Sequence, residues 1–413
     1  MRVMEKIRAF ITQDSVLFVS CVAALVSCIA VAPDEGYFSY IDWHTIVLLF
    51  CLMTVVTGLR FLGVIRIMGE WVVSHMRSQA MIAGALIALT FFCSMFITND
   101  VALITFVPFA LVIMHKANMD DCMVIVVVLM TIAANLGSML LPMGNPQNLY
   151  LFQASGFDVF EFVALMAPYT ATVAVVLGVM IAFLFRKRSK GSAAVQNRTK
   201  QLTADSQDVS PDQDNHEHHH LLQDIITRRS LPVRKLFCAV VYAVLFVACL
   251  CAVADLVNVY LVGAVILVVV LLIDRKILVR VDYGLLLTFI ALFIFVGNMG
   301  RIPLVHEVVS QLIGAAPVIA SVALSQIISN VPAALLLSGF TDQWCALIIG
   351  TNIGGLGTLI ASMASIISFK LITTAGFAKK SDYIRTFTFY NVVFLALLLV
   401  LHTALSFAGV YAS

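Results

Sequence analysis

The sequence predicts an all-α polytopic membrane protein of two inverted repeats, each with a re-entrant hairpin and a broken transmembrane helix. Three observations lead there. Of the 413 residues, 61% are hydrophobic and only 12% are charged, where a soluble globular protein carries about 25% charged residues. Mean hydropathy is +1.02, and residues 15–32, 44–57, 123–141 and 160–185 are polar-poor runs of the kind that span bilayers. Finally, each half contains apolar segments that short polar residues interrupt at corresponding places. The net charge of +2 decides little, because orientation depends on where Lys and Arg sit.

Element by element, the positive-inside rule sets the direction. Arg2, Lys6 and Arg8 place the N-terminus in the cytoplasm. The apolar run behind them imitates a signal peptide, but it ends in VAPDEGYFSY with no small-x-small cleavage pattern, so it is read as the first transmembrane helix. The acidic loop APDEGYFSYID falls outside, a helix from about Trp43 returns to Arg60 and Arg66, and an amphipathic arm over 61–76 stays inside with Arg77. Residues 79–98 and 101–114 are apolar on either side of Asn99-Asp100, and basic residues flank both ends. A hairpin over about 79–115, entering and leaving by the cytoplasmic face, fits this pattern. Arms of about 14 residues would rise about 20 Å, close to the bilayer midplane. Two full spans joined by an external Asn-Asp turn fit the same charges.

After Asp120-Asp121, the stretch 123–152 reads as a helix broken at PMGNPQN, where two prolines and a glycine stand among three amides in an apolar context. The span over 160–185 lands on RKRSK. Residues 186–232 are polar, include HEHHH at 216–220, and read as a cytoplasmic linker between halves 1–185 and 233–413. The His run is either a weak Zn or Ni ligand set or low-complexity sequence. In the second half, 236–253 reads as a connector helix, 258–273 returns to DRK, 283–296 goes out, and 301–314 is amphipathic. A second hairpin is expected over about 315–340, with Ser329-Asn330 at its tip, and a second broken helix over 345–372. Residues 379–385 land inside, and 386–405 leaves the C-terminus outside an integral plasma (inner) membrane protein.

The halves echo each other in residues as well as in order. Asn135-Leu-Gly137 matches Asn352-Ile-Gly354 at an offset of 217, and the same offset pairs Asn145 with Ser362 and Asn148 with Ser365. Broken helices expose backbone N–H and C=O groups at mid-depth, where N-termini favour anions and carbonyls favour cations. The candidate substrate contacts are therefore Thr98, Asn99, Asn145, Gln147, Asn148, Ser329, Asn330, Thr358 and Ser362. Candidate ligands for a coupling Na+ or H+ are Asp100, Asn99, Asn135, Gly137, Asn330, Asn352 and Gly354, with Ser138, Gly144, Gly355, Gly357 and Ser365 around them. For the glycines, plain helix packing explains the pattern as well. Asp100 either holds a cation or a proton, as intramembrane carboxylates do, or serves as a helix N-cap.

Other chemistry is not indicated. The nine cysteines are scattered through apolar segments without a CxxC pair, and they read as buried free thiols. No nucleophile–base pair or HExxH motif points to an enzyme, and nothing indicates a nucleic-acid partner. No cofactor is expected beyond Na+ or H+ as the coupling ion.

TNDVALITFVP with NLGSMLLPMGNPQN, and SNVPAALLL with GTNIGGLGT, resemble the ion transporter superfamily and, more narrowly, its citrate-transporter-like branch. That branch includes arsenite permeases, divalent anion:sodium symporters and some sodium/proton antiporters. In the symporters a Ser-Asn-Thr motif at each tip contacts carboxylate and Na+. Here the tips read Thr98-Asn99-Asp100 and Ser329-Asn330-Val331, so only the asparagines and the first hydroxyls match. The Asn-Asp tip resembles the arsenite permeases, whereas GNPQN is similar to the Gly-x-Pro-x-Asn break of the symporters. The resemblance implies an elevator transporter, a homodimer in which hairpins and broken helices move as a transport domain against a scaffold.

Overall fold

The computed structural model describes residues 15–186 and 233–409. The basic N-terminal residues, the linker with its His run, and the last four residues lie outside the described residues. Among those described the chain is helical and has no strand, as a backbone without water to satisfy it requires. Among the described residues eight helices are long and apolar enough to cross a membrane.

The first half runs α1 (Ser15–Ala30), the short α2 (Tyr37–Tyr40), α3 (Trp43–Phe61), α4 (Val64–Ser74), α5 (Gln79–Ile97), α6 (Asn99–Lys116), α7 (Met123–Gly137), α8 (Pro146–Ser155) and α9 (Val159–Leu184). The second half runs α10 (Val233–Val253), α11 (Val259–Asp274), α12 (Lys276–Val279), α13 (Tyr283–Gly300), α14 (Pro303–Ala315), α15 (Pro317–Ile328), α16 (Asn330–Ser338), α17 (Trp344–Gly354), α18 (Met363–Thr374) and α19 (Lys380–Phe407). Helix starts at the rim are set by side-chain caps: Asp42 on α3, Ser78 on α5, Asn258 on α11 and Asp282 on α13. A full capping box between Asp158 and Glu161 opens α9.

The packing pairs the halves. α1 lies on α13, and α11 on α3. α5 packs on α6 and α7, as α15 packs on α16 and α17. α18 reaches across to α6 and α7, and α8 reaches across to α16 and α17. α7 sits at the centre, with both its apolar residues and Thr131 and Asn135 buried. A helix apolar all round belongs in such a place. α9 and α19 line the periphery and present Val175, Val179, Phe183, Phe389 and Val400 outward, an apolar exposure that suits lipid rather than water.

The second arm of the first hairpin is longer than the apolar run 101–114 suggested. α5 has 19 residues and α6 has 18, whereas α15 has 12 and α16 has 9. The reason is local: α5 starts right after its Ser78 cap, and α6 runs through Pro108 to Lys116. Both arms are long and apolar enough to cross a membrane, and Asn99 between them is 5% exposed.

Candidate functional site

Each hairpin reverses through one residue. Thr98 takes φ 68°, ψ 150° and Ser329 takes φ 76°, ψ 155°, a region that side-chain-bearing residues enter at a cost of about 1–3 kcal/mol. In each case the carbonyl already accepts the first helical bond, from Ala102 N at 3.0 Å and from Ala333 N at 3.1 Å. Neither hydroxyl caps its helix. The Ser329 hydroxyl instead faces the other interrupted stretch, donating to Ala361 O at 3.4 Å.

The breaks in the two long helices match as closely. α7 ends at Gly137, a 3-10 turn covers Pro142–Gly144, and α8 starts at Pro146. α17 ends at Gly354, a 3-10 turn covers Leu359–Ala361, and α18 starts at Met363. The residues before α8 and α18 share one extended geometry: Asn145 at φ −143°, ψ 146° and Ser362 at φ −144°, ψ 136°. Two glycines in the first break are dictated by space. A Cβ on Gly137 would sit 2.3 Å from Phe91 O, and one on Gly144 would sit 2.0 Å from Ser138 O. A Cβ on Gly354 would lie 2.6 Å from Ser325 Oγ, so Gly137 and Gly354 both serve helix packing.

Polar side chains of the first tip and the two breaks form buried hydrogen-bonded clusters. Asn99 Nδ2 donates to Asn135 Oδ1 at 3.0 Å, and Ser362 Oγ donates to the same oxygen at 3.1 Å. Asn135 Nδ2 donates to Ser365 Oγ at 3.4 Å. In the counterpart arrangement Asn352 Nδ2 donates to Asn148 Oδ1 at 2.6 Å. Residues paired by the 217-residue offset thus contact each other crosswise, Asn135 with Ser365 and Asn352 with Asn148. Asn330 lies beside Gly355, where an added Cβ would be 3.0 Å from Asn330 Nδ2.

Four helices start in this region without a side-chain cap: α6, α8, α16 and α18. Their positive dipole ends gather there, although Asp100 N already donates to Asn99 Oδ1 and Pro146 and Pro332 have no N–H to offer. Three buried oxygens in the same region accept no hydrogen bond: Asp100 Oδ1, Asn145 Oδ1 and Asn352 Oδ1. Gln147 Nε2 is likewise buried without an acceptor. The site therefore offers helix N-termini and an amide N–H to an anion, and amide and carboxylate oxygens to a hard cation such as Na+. Among the described residues no three His, Cys, Asp or Glu side chains come together.

Two candidates stand differently from the rest. Thr358 is exposed, and Gln326 engages it: Thr358 N donates to Gln326 Oε1 at 2.9 Å, and Thr358 Oγ1 donates to Gln326 O at 3.2 Å. Asp100 is half-buried in the first turn of α6, and that helix has no side-chain cap. Asn99 Oδ1 accepts from Asp100 N at 2.9 Å instead, so the capping explanation of Asp100 fails. Sequence reasoning missed Gln326, whose amide also donates to Gly354 O at 2.9 Å and Leu356 O at 2.8 Å, tying α15 to the second break. A lone Gln on an apolar arm was the available signal.

Comparison with known proteins agrees with this architecture. The sequence profile of the family described as "Citrate transporter" matches residues 3–343. An uncharacterised transporter of Methanocaldococcus jannaschii is 30% identical over 360 residues, 86% of this chain and 88% of that protein. Inner membrane protein YbiR of Escherichia coli is 28% identical over 334 residues, 80% of each chain. A putative transporter of Dictyostelium discoideum named arsB is 23% identical over 166 residues, 40% of this chain and 29% of that protein. With its apolar spans, uncapped interior helices and a profile match over most of its length, the chain belongs to the citrate transporter family and is an integral membrane transporter.

Proposed function

We propose that the protein is a secondary active transporter that moves a small anion, a carboxylate or an oxyanion, in company with Na+ or H+. The observation that carries this reading is the meeting of four uncapped helix N-termini, two at hairpin tips and two at helix breaks, around amides from both halves. Such termini attract negative charge, and placing irregular backbone at mid-depth suits a bound solute. Asp100 would repel a bare anion, so it carries the cation or proton that makes anion entry favourable.

The crosswise pairs support two inverted repeats, with α3–α9 answered by α13–α19 and α10 as the connector. In this reading the hairpins and broken helices form the mobile unit of an elevator homodimer. The N-terminus and residues 186–232 face the cytoplasm, and the C-terminus faces outside. Two further readings have specific support. Asp100 Oδ1, buried without a donor, suits a sodium/proton antiporter. The Asn-Asp tip, with a relative named arsB, suits efflux of arsenite or antimonite, where neutral arsenious acid would meet no repulsion.

A thermal-shift screen of carboxylates, oxyanions and arsenite, with and without Na+, followed by flux in proteoliposomes, tests the proposal. Stabilisation and saturable, gradient-driven uptake of an anion is expected. Sodium/proton exchange that needs no anion would replace this reading with the antiporter.

A further inference from the structure

Gln326, on the first arm of the second hairpin, is half-buried against the second break. Three carbonyl oxygens converge on its Nε2: Leu356 O at 2.8 Å, Gly354 O at 2.9 Å and, from its own helix, Val322 O at 3.2 Å. The other bond fixes which end of the amide faces them. Thr358 N can only donate, and it donates to Gln326 Oε1 at 2.9 Å. The fit is close: Gly357 sits at φ 104°, and a Cβ built there would lie 2.3 Å from Gln326 Oε1.

Gly354 ends α17, and Leu356 lies just beyond it. Carbonyls at a helix end broken inside a membrane are left over from the helical ladder, carry the negative end of its dipole and favour a cation. Here the N–H end of a neutral amide dipole stands where a cation would.

The first repeat lacks this amide. Aligning the tips at Asn99 and Asn330, an offset of 231, sets Met95 against Gln326 and Ser94 against Ser325. Packing supports that register: a Cβ on Gly137 would lie 2.8 Å from Ser94 Oγ, as one on Gly354 would lie 2.6 Å from Ser325 Oγ. Methionine has no N–H to give. Among the described residues no side chain donates to Gly137 O or Met139 O, the counterparts of Gly354 O and Leu356 O, and Gly137 O takes only a backbone bond from Leu140 N at 3.2 Å. The first half also holds Asp100 Oδ1 and Asn145 Oδ1, buried without a donor, against Asn352 Oδ1 in the second.

We propose that Gln326 sets the ion stoichiometry of transport: its amide fills the cation position of the second half, so that one coupling Na+ binds per chain, in the first half. This rests on the coupled-transport reading above and adds to it the number and place of the cation.

The test uses the full chain in detergent, with radiolabelled sodium as the probe and equilibrium dialysis to count sodium bound per chain, beside the sodium dependence of flux in proteoliposomes. Wild type should bind about one sodium per chain with a Hill coefficient of about 1. Gln326→Met gives the second half the residue of the first and should raise both values toward about 2. Asp100→Asn should lose the single sodium of the wild type. Two sodium ions on the wild type, a count still at one in folded Gln326→Met, or undiminished binding in Asp100→Asn would overturn the inference while leaving ion-coupled transport in place. If Gln326→Met does not fold, Gln326→Glu, which puts a carboxylate oxygen beside the same carbonyls, is read by the same criteria. No sodium on the wild type, with flux driven by protons, would overturn the inference alone. Ion-independent flux would overturn the proposed function with it.

Discussion

Replacing Asn135 by alanine removes the residue on which a buried polar cluster converges. Two donors, Asn99 Nδ2 at 3.0 Å and Ser362 Oγ at 3.1 Å, lose their common acceptor, and Ser365 Oγ loses a donor at 3.4 Å. The groups are 5%, 1% and 0% exposed, so water cannot easily replace what is lost. Each buried polar group left unpaired costs about 1–3 kcal/mol, so the two close contacts alone cost about 2–6 kcal/mol. At about 1.4 kcal/mol per factor of ten, the lower bound is already about 30-fold if it falls on the bound state. Because the partners sit on α6 and α18, the damage should reach ligand affinity as well as the unfolding temperature. Thermal shift in detergent, with and without an anion that stabilises the wild type, measures both. Asn352→Ala, which removes the donor to Asn148 Oδ1 at 2.6 Å, should behave similarly. Wild-type stability together with wild-type affinity in Asn135→Ala would refute the idea that this amide couples the first hairpin to the second break.

Asp100→Asn keeps the size of the side chain and removes its charge, so the ion or pH dependence of flux should change; identical profiles between about pH 5 and 9 would deny Asp100 a part in coupling. Gly144→Ala puts a Cβ 2.0 Å from a backbone oxygen, which should cost about 1–3 kcal/mol as overpacking, and a lowered unfolding temperature checks it. Outside the membrane, Arg301 donates to Asp34 and holds its carboxyl below the usual value of 3.8. The sign follows: the pair contributes stability above 3.8, and the contribution is lost as pH falls through the lowered value. Arg301→Gln should therefore lower the unfolding temperature only slightly near neutral pH, with the difference from wild type vanishing in acid.

What could be read from the sequence depended on whether a feature leaves a local trace. Asn135-Leu-Gly137 and Asn352-Ile-Gly354 repeat in both halves, and PMGNPQN cannot continue a helix, so the breaks were visible. The tips showed as Thr98-Asn99-Asp100 and Ser329-Asn330 inside apolar runs. Crosswise pairing was not visible, because which half's amide meets which serine depends on packing between segments far apart in the chain. Gln326 gave no periodic signal, and its bonds to Thr358 join segments 32 residues apart.

The one-residue reversal at Thr98 and Ser329 has a consequence for how the molecule can open. A flap swings on slack, on a few residues free to exchange backbone conformations. Here helix follows helix with a single residue between, and its carbonyl is already bound into the second arm. Neither tip can lift away from its own arms like a lid. On the proposed transport reading each hairpin travels whole, and a spin label beside either tip should report displacement without a gain in local mobility.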